Sequence, residues 1–175
     1  MAITNDVLES LRQLLKSPDL LVFADPNWGS QNPHHRELIH AALAKIKTDE
    51  LQSSISHAPE MGLFVVSQHH LGVDVELTER VKPEVVARIC SPEEFNAAPS
   101  VSSLWCAKEA AYKALKYFDQ PSVISKISVG GWQKIDSHTE TFTLTKPSLL
   151  NNSTEGRGVV IRFAHHTLAF FIFCS

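Results

Sequence analysis

The sequence contains few cysteines and lacks the spacing that disulfides or zinc sites require. Its three cysteines, Cys90, Cys106 and Cys174, are an odd number and lie far apart. This argues against a disulfide framework and against a C-x-x-C zinc site. We therefore expect free thiols and a reducing compartment, the cytoplasm. Adjacent histidines such as His69 and His70 point to opposite faces of a strand, so they do not chelate a metal together.

An excess of basic residues and a long apolar run are also missing. The 175 residues include 16 Lys and Arg against 19 Asp and Glu, a formal net charge of -3, which argues against a bulk nucleic-acid binder. No apolar run approaches the ~20 residues of a membrane span, and the best candidate, 168–174, has the length of a strand. Residues 1–6 lack the features of a secretory signal. We expect neither nucleic acid nor a membrane as a partner.

The order of predicted elements indicates an α+β fold, because helices and strands are mixed without a strict βαβ alternation. The runs 61–68 and 72–77 predict two strands that pair as a hairpin around His69 and His70. Periodicity, run length and helix-start signals predict the other elements. The helices are expected over 7–15, 34–47, 83–89 and 102–118, with a further helix that starts at Ser91, and the strands near 20–24, 124–129, 141–145, 158–163 and 167–173.

The segment Gly72-Val73-Asp74-Val75-Glu76 contains the sharpest chemical feature. Residues two apart on a strand share a face, so Asp74 and Glu76 project together while Val73 and Val75 point into the core. Neighbouring carboxylates repel each other, and a divalent cation would relieve that repulsion. Oxygen ligands suit Mg²⁺, which often bridges to phosphates. The competing interpretation is an exposed edge strand with two acids by chance, because D-x-E is a weak pattern.

Two further groups of residues have both a structural and a chemical interpretation. Trp105, Glu109 and Lys113 are four residues apart and share one helical face. Taken alone, Glu109 and Lys113 are an ordinary exposed ion pair, worth about 0.3–0.5 kcal/mol, and Trp105 is a packing residue. Ser56-His57 is typical of a capped turn, although the histidine could also donate a hydrogen bond to a phosphate.

Taken together and in order, these segments resemble the 4′-phosphopantetheinyl transferase superfamily, of the holo-acyl-carrier-protein synthase type. Its larger branch has the motifs S-H, G-I-D-[IV]-E, R-F-F-x-x-x-E and W-x-x-K-E-A-x-x-K, which resemble Ser56-His57, 72–76, 88–94 and 105–113. The resemblance is good over 56–115, loose over the later strands and thin before them. The chain departs from the pattern at Ile89-Cys90 and has no Gly-Lys-Pro segment upstream of Ser56.

The resemblance implies a fold of two similar α+β halves that form a pseudo-dimer within one chain. We expect a reduced N-terminal half over 1–70, a full C-terminal half over 71–175, a site between them and a monomer. It also implies Mg²⁺-dependent transfer of the 4′-phosphopantetheine group of coenzyme A to a serine of an apo acyl or peptidyl carrier protein, with release of 3′,5′-ADP. Such carriers serve fatty-acid biosynthesis or secondary metabolism.

By this resemblance, three acids would form the metal site and two residues would catalyse the transfer. Asp74, Glu76 and Glu109 would hold Mg²⁺ on the pyrophosphate of coenzyme A. Glu109 would also act as the general base toward the carrier serine, and Lys113 would neutralise the charge that develops on the leaving phosphate. Three converging acids without a cation would repel each other strongly, which agrees with the metal assignment.

The resemblance also assigns residues that would bind coenzyme A. His57 would contact its 3′-phosphate, Lys108 and Lys113 would contact phosphate, and Arg36 on the second helix would supply a further cation. We expect Glu94 to be structural, because Ser91 and Glu94 form a capping-box pattern.

A further hypothesis is that a local basic rim, which would include Arg80 and Lys82, receives an acidic carrier protein despite the negative net charge. Two other interpretations stay open at this point. One is a degenerate member that binds coenzyme A or a carrier without turnover, and the other is an unrelated Mg²⁺-dependent phosphate enzyme. The missing upstream segment favours the first of them.

Overall fold

The fold is seen in a computed structural model that describes residues 3–118, 120–145 and 155–174. The helices in this part of the chain are α1 (Asn5–Leu15), α2 (His35–Ala44), α3 (Pro83–Val86), α4 (Pro92–Ala97) and α5 (Val101–Ala114). The strands are β1 (Leu21–Asp25), β2 (Gln52–Ala58), β3 (Met61–Ser67), β4 (Leu71–Leu77), β5 (Val129–Lys134), β6 (Thr139–Leu144), β7 (Glu155–Phe163) and β8 (His166–Cys174).

The strands form two antiparallel sheets, which confirms the predicted α+β class. A three-stranded sheet has the order β1-β3-β2, and a five-stranded sheet has the order β4-β8-β7-β6-β5. The chain passes from the first sheet to the second between Ser67 and Leu71. That the two parts are similar halves, one of them reduced, stays a prediction. None of the helices in the described residues has both the length and the apolar composition that crossing a bilayer requires.

The predicted hairpin of 61–68 with 72–77 is wrong, because β3 and β4 belong to different sheets. β3 pairs with β1 and β2, whereas β4 pairs with β8 in the register Leu71↔Ile172. The Asp19 carboxylate holds the end of β3, since it accepts hydrogen bonds from the Ser67 hydroxyl (2.8 Å) and the Gln68 backbone N–H (2.6 Å). These bonds fix the end of β3 beside Asp19, and the chain then enters the second sheet.

Three apolar clusters fill the spaces between the layers of the molecule. Alternation along β3 sends Phe64 toward α2 and Leu63 toward the five-stranded sheet. The first of these faces packs against Ile39 and Leu43 of α2, and the second packs, together with α1, against β4, β7 and β8. The opposite face of the five-stranded sheet is covered by the alanine-rich side of α5. Residues on that face of β4 therefore lie beneath α5.

Strand β2 is absent from the predicted elements, because its sequence Gln-Ser-Ser-Ile-Ser-His-Ala has no apolar alternation. Its serines join the two sheets instead. The Ser54 hydroxyl accepts a hydrogen bond from the Val73 N–H (3.1 Å), and the Ser56 hydroxyl accepts one from the Val75 N–H (3.2 Å). Side chains thus satisfy part of the exposed edge of β4, which places Ser56 beside the acids of that strand.

Two predicted boundaries also differ from the structure. The segment predicted as a strand near 124–129 begins as a short 3₁₀ helix over Ile124–Lys126, and the strand starts at Val129. The helix predicted over 102–118 ends earlier than expected, at Ala114, and continues as a 3₁₀ turn. Neither difference moves the residues of the candidate site.

Gly72 allows α5 to approach β4 closely. A Cβ atom at this position would collide with the Ala110 carbonyl oxygen and lie 2.6 Å from the Ala114 backbone nitrogen. Because helix backbone cannot move aside as a side chain can, we expect Gly72→Ala to lower the free energy of unfolding by at least about 3 kcal/mol. Chemical denaturation of the purified variant measures this.

Gly130→Ala is the matched control for this prediction. Its Cβ would approach only the end of the Thr145 side chain, which can rotate away. We expect that variant to lose less than about 1 kcal/mol. Equal losses in the two glycine variants would contradict the close approach of α5 to β4.

Candidate active site

Asp74 lies at the centre of the site, at the junction of the two sheets and beneath α5. Its side chain is only 4% exposed. Its Oδ1 atom accepts hydrogen bonds from the Lys113 Nζ (2.7 Å) and from the Ser56 hydroxyl (2.8 Å). Lys113 also donates to the Val73 carbonyl oxygen (3.0 Å) and to the Ser56 hydroxyl (3.2 Å). Three elements, β2, β4 and α5, therefore converge on one buried carboxylate.

The second carboxylate oxygen of Asp74, Oδ2, has a different environment from Oδ1. Oδ2 is buried and accepts no hydrogen bond within the described residues. The Cys106 thiol lies beside this carboxylate, and burial together with the Asp74 charge raises the pKa of that thiol. We assign the thiol proton to the Thr167 carbonyl oxygen, 3.4 Å from the sulfur. A buried carboxylate oxygen without a donor is costly, so Oδ2 is the atom here that most needs a further ligand.

Glu76 lies two residues along β4, on the same side as Asp74, as alternation predicts. Its Oε1 accepts a hydrogen bond from the Trp105 indole N–H (3.2 Å), so Trp105 ties α5 to β4. Burial raises the pKa of Glu76 above its ordinary value, and the charges of Asp74 and Glu109 raise it further. The hydrogen bond from Trp105 and the charge of Lys113 oppose this shift only in part.

Glu109 faces the same pair of acids from α5, one turn after Trp105 and one turn before Lys113. Burial and the charge of Asp74 raise the pKa of Glu109, while Lys113 acts against them. The helical spacing of four residues thus brings Trp105, Glu109 and Lys113 to the acids of β4. Three carboxylates and one ammonium group share a partly buried space.

A divalent cation fits the chemistry of this cluster. The donors are all carboxylate oxygens, which hard cations such as Mg²⁺ prefer, and Asp74 contributes an oxygen with no hydrogen bond. Within residues 3–118, 120–145 and 155–174, however, no three His, Cys, Asp or Glu side chains are arranged to hold a metal as they stand. Lys113 occupies Oδ1 of Asp74 instead. A cation would therefore require the side chains around Asp74 to rearrange.

His57 and Arg36 lie close to each other but on the other side of β2. Because side chains alternate along the strand, Ser56 faces Asp74 while His57 faces α2. Burial, followed by the positive charges of His35, Arg36 and Lys113, lowers the pKa of His57, and the Asp74 charge acts in the opposite direction. This cationic group is separate from the carboxylates and is suited to an anion.

Lys108 does not face the cleft, which corrects the expectation that it contacts phosphate. Its side chain is 0% exposed, and its Nζ donates to both Glu94 carboxylate oxygens (2.9 and 3.2 Å) and to the Ile127 carbonyl oxygen. The sequence spacing could have indicated that Lys108 is buried, since it lies four residues after the fully buried Leu104 on the same helix face. A buried lysine so enclosed has no path to a ligand in the cleft.

Glu94 is structural, but not through a full capping box. Ser91 caps α4 by accepting from the Glu94 backbone N–H (3.2 Å), as predicted. The Glu94 carboxylate reaches inward instead, where it binds Lys108 and accepts from the Val129 N–H (2.8 Å). The pair thus connects α4 and α5 to the start of β5.

The repulsion among the acids predicts an effect on stability. The folded state raises the pKa of Glu109, so this group favours folding below the ordinary carboxyl pKa and opposes it increasingly as the pH rises through the raised value. In metal-free buffer, we expect Glu109→Gln to be more stable than the wild type at pH 8, with a smaller difference at pH 4. Urea unfolding at the two pH values measures this.

Glu50→Gln serves as the control, because Glu50 is exposed and lies outside the candidate site. It should leave the free energy of unfolding at pH 8 close to that of the wild type. Added Mg²⁺ should stabilise the wild type more than Glu109→Gln, since only the wild type retains all three acids. A Glu109→Gln variant that is less stable than the wild type at pH 8 would contradict the account.

The fold and the site together define a class of protein. An α+β chain places a partly buried acid cluster with one lysine on one side of strand β2 and a histidine–arginine group on the other. Acids that suit a divalent cation, next to separate cationic groups, are typical of proteins that act on phosphate esters.

Comparison with known families identifies the chain more closely. The model of the 4′-phosphopantetheinyl transferase superfamily matches residues 70–165, more than half of the chain. The protein therefore belongs to this superfamily, and the predicted resemblance is confirmed. The matched region contains Asp74, Glu76, Glu109 and Lys113, and it begins after His57. No curated protein matches the chain.

Proposed function

We propose that this chain transfers the 4′-phosphopantetheine group from coenzyme A to a serine of an apo acyl or peptidyl carrier protein, with Mg²⁺ as cofactor. The observation that carries the proposal is Asp74, a buried carboxylate with one oxygen lacking a donor, at the place where Glu76, Glu109 and Lys113 meet. Membership of the superfamily supports phosphopantetheine transfer as the general reaction.

In the proposed reaction, the serine oxygen of the carrier attacks the phosphorus that bears the pantetheine arm. A new P–O bond forms to the serine, the P–O bond to the nucleotide breaks, and 3′,5′-ADP leaves with that bonding pair. Glu109 takes the serine proton. A carboxylate in water is a weak base, so the raised pKa of Glu109 improves its match to a working pH near neutrality.

Lys113 has two partners in this scheme. Without a ligand it compensates the buried charge of Asp74 at 2.7 Å. When coenzyme A binds, Lys113 exchanges Asp74 for a phosphate oxygen and stabilises the charge on the leaving group. Asp74, Glu76 and Glu109 are the residues that would hold Mg²⁺, which when bound neutralises pyrophosphate charge.

A groove beside Glu76 is the proposed docking place for the carrier. It is lined by Arg80, Val81, Lys82 and Val85 and reaches Trp105 at the edge of the acid cluster. Val85 is 44% exposed, which provides an apolar contact between the two basic residues. An acidic carrier helix would complement Arg80 and Lys82 and bring its serine toward Glu109.

We also propose that the chain acts as a monomer in the cytoplasm. The site joins Ser56 of the three-stranded sheet to Asp74 of the five-stranded sheet within one chain. Both sides of the junction are therefore present without a second copy. Equilibrium sedimentation tests this, with a single species of the chain's own mass of 19.4 kDa as the expected result and a dimer as the contradictory one.

The alternative is a member that binds coenzyme A or a carrier without turnover. The absent upstream segment and the Lys113–Asp74 pair, which occupies one metal-facing oxygen, favour it. The retained Asp74, Glu76 and Glu109 favour the enzyme. Calorimetry with coenzyme A and Mg²⁺, followed by chromatography for 3′,5′-ADP in the presence of several apo carriers, separates the two. Binding with release of 3′,5′-ADP supports the enzyme, binding without release supports the alternative, and no binding contradicts both.

A further inference from the structure

Ser56 of β2 makes three hydrogen bonds where the two sheets meet. Its hydroxyl oxygen lies 2.8 Å from the Asp74 Oδ1, 3.2 Å from the Val75 backbone nitrogen and 3.2 Å from the Lys113 Nζ. The side chain is only 7% exposed. A buried hydroxyl with partners on both β4 and α5 is held in one orientation.

The direction of each of these bonds follows from the chemistry of the partners. A hydroxyl has one proton to donate and two lone pairs that accept. The Val75 N–H and the Lys113 ammonium group can only donate, so they use the two lone pairs. The single proton then goes to the Asp74 carboxylate, which accepts it. The Ser56 hydroxyl therefore has no bonding capacity left for a ligand, and it affects ligand binding through Asp74.

Both donors to the Asp74 carboxylate lie on the same oxygen. Ser56 and Lys113 donate to Oδ1, whereas Oδ2 is buried and has no donor within the described residues. The terminal torsion of an aspartate is broad, so a carboxylate that lost its donors could turn about that bond. The two bonds to Oδ1 hold the carboxylate in place and leave Oδ2 available to a cation.

We propose that Ser56 is a positioning residue that fixes the Asp74 carboxylate for cation binding. This inference rests on the proposed function and goes beyond it by giving Ser56 a role without contact to coenzyme A. When Lys113 exchanges Asp74 for a phosphate oxygen, Ser56 is the one of the two Oδ1 donors that stays. Partners that orient a metal ligand typically change metal affinity by about 10- to 100-fold. Loss of the Ser56 hydroxyl should therefore weaken binding of the cation and spare binding of the nucleotide.

Ser54 provides a matched control two residues earlier on β2. It is also 7% exposed, and its hydroxyl accepts from the Val73 N–H (3.1 Å) as that of Ser56 accepts from the Val75 N–H (3.2 Å). Removal of either hydroxyl takes an acceptor from one backbone N–H of β4 and weakens the same junction of the sheets. Of the two serines, Ser56 alone donates to Asp74.

The experiment measures Mn²⁺ binding to the chain with saturating coenzyme A and no carrier, so that no transfer occurs. Mn²⁺ takes the same oxygen ligands as Mg²⁺, and electron paramagnetic resonance reports the free ion. We expect Ser56→Ala to weaken Mn²⁺ binding by about tenfold or more, and Ser54→Ala by less than about twofold. In metal-free buffer, calorimetry should show that both variants bind coenzyme A as the wild type does. The two variants should melt within a few degrees of each other.

The transfer reaction gives a second readout. In Ser56→Ala the Mg²⁺ concentration for half the maximal rate should rise about tenfold, while saturating Mg²⁺ restores most of the rate, because the loss lies in metal binding. A rate that stays low at saturating Mg²⁺ contradicts the role of Ser56.

Three results of the binding experiment would overturn the inference while the proposed function stands. Equal weakening of Mn²⁺ binding in the two alanine variants would mean that the serines only join the sheets. Weaker binding of coenzyme A by Ser56→Ala in metal-free buffer would mean a direct contact with the ligand. Unchanged Mn²⁺ binding in Ser56→Ala would mean that the hydroxyl does not orient Asp74. A wild type that binds no Mn²⁺ in the presence of coenzyme A would overturn the proposed metal-dependent function as well.

Discussion

Replacement of Glu109 by glutamine is expected to lower the rate of phosphopantetheine transfer at least about a hundredfold, because general-base catalysis contributes about 10²–10⁴-fold. Glutamine keeps the size of the side chain and removes its ability to take the serine proton. It also removes one of the three carboxylates that face the metal region. Single-turnover kinetics with saturating coenzyme A and carrier measure the loss. Coenzyme A should still bind, since the phosphate contacts proposed for Lys113 and His57 remain.

Glu50→Gln makes the same chemical change at an exposed position outside the site and should keep the wild-type rate. The pair of variants separates loss of the base from a general change of charge. Higher pH should not restore Glu109→Gln, because glutamine has no proton to lose. A variant that keeps more than about a tenth of the wild-type rate would contradict the role of Glu109.

Lys108→Met is expected to lower the free energy of unfolding by about 3–5 kcal/mol, the cost of breaking a buried ion pair. The Glu94 carboxylate, 8% exposed, would keep the Val129 N–H but lose its cation. The Ile127 carbonyl would lose a donor as well. Guanidinium unfolding measures the change, and the second substitution Glu94→Gln should recover part of it by removing the uncompensated charge.

The pair of half-buried Arg157 with exposed Glu155 is the control for burial. Its N–O distance of 2.8 Å resembles the 2.9 Å of Lys108 and Glu94, but Glu155 is 77% exposed. Arg157→Met should therefore cost only about 0–1 kcal/mol. Similar losses in the two variants, or a Lys108→Met loss below about 1 kcal/mol, would contradict the structural role assigned to Lys108.

Local periodicity predicts the central part of the site well. Alternation places Asp74 and Glu76 on one face of β4, and a spacing of four places Trp105, Glu109 and Lys113 on one face of α5. These relations depend on a single strand and a single helix. That the two faces meet depends on Gly72, whose missing side chain lets α5 approach.

The parts that sequence reasoning missed depend on contacts between distant segments. β2 is a strand of mostly polar residues that pairs with β3 and bonds to β4 through its serines, and no local pattern predicts these contacts. His35 meets His57 because α2 packs on the sheet. β3 and β4 do not form a hairpin because β3 pairs with β1 and β2 while β4 pairs with β8, which is distant in sequence.

The intact mass of an apo carrier protein, recorded before and after incubation with this chain, coenzyme A and Mg²⁺, tests the central claim most directly. We expect the carrier to gain the mass of one phosphopantetheine group, and a carrier whose acceptor serine is replaced by alanine to gain nothing. Coenzyme A that binds to the chain while no carrier in a panel of acyl and peptidyl carriers gains mass would contradict the claim.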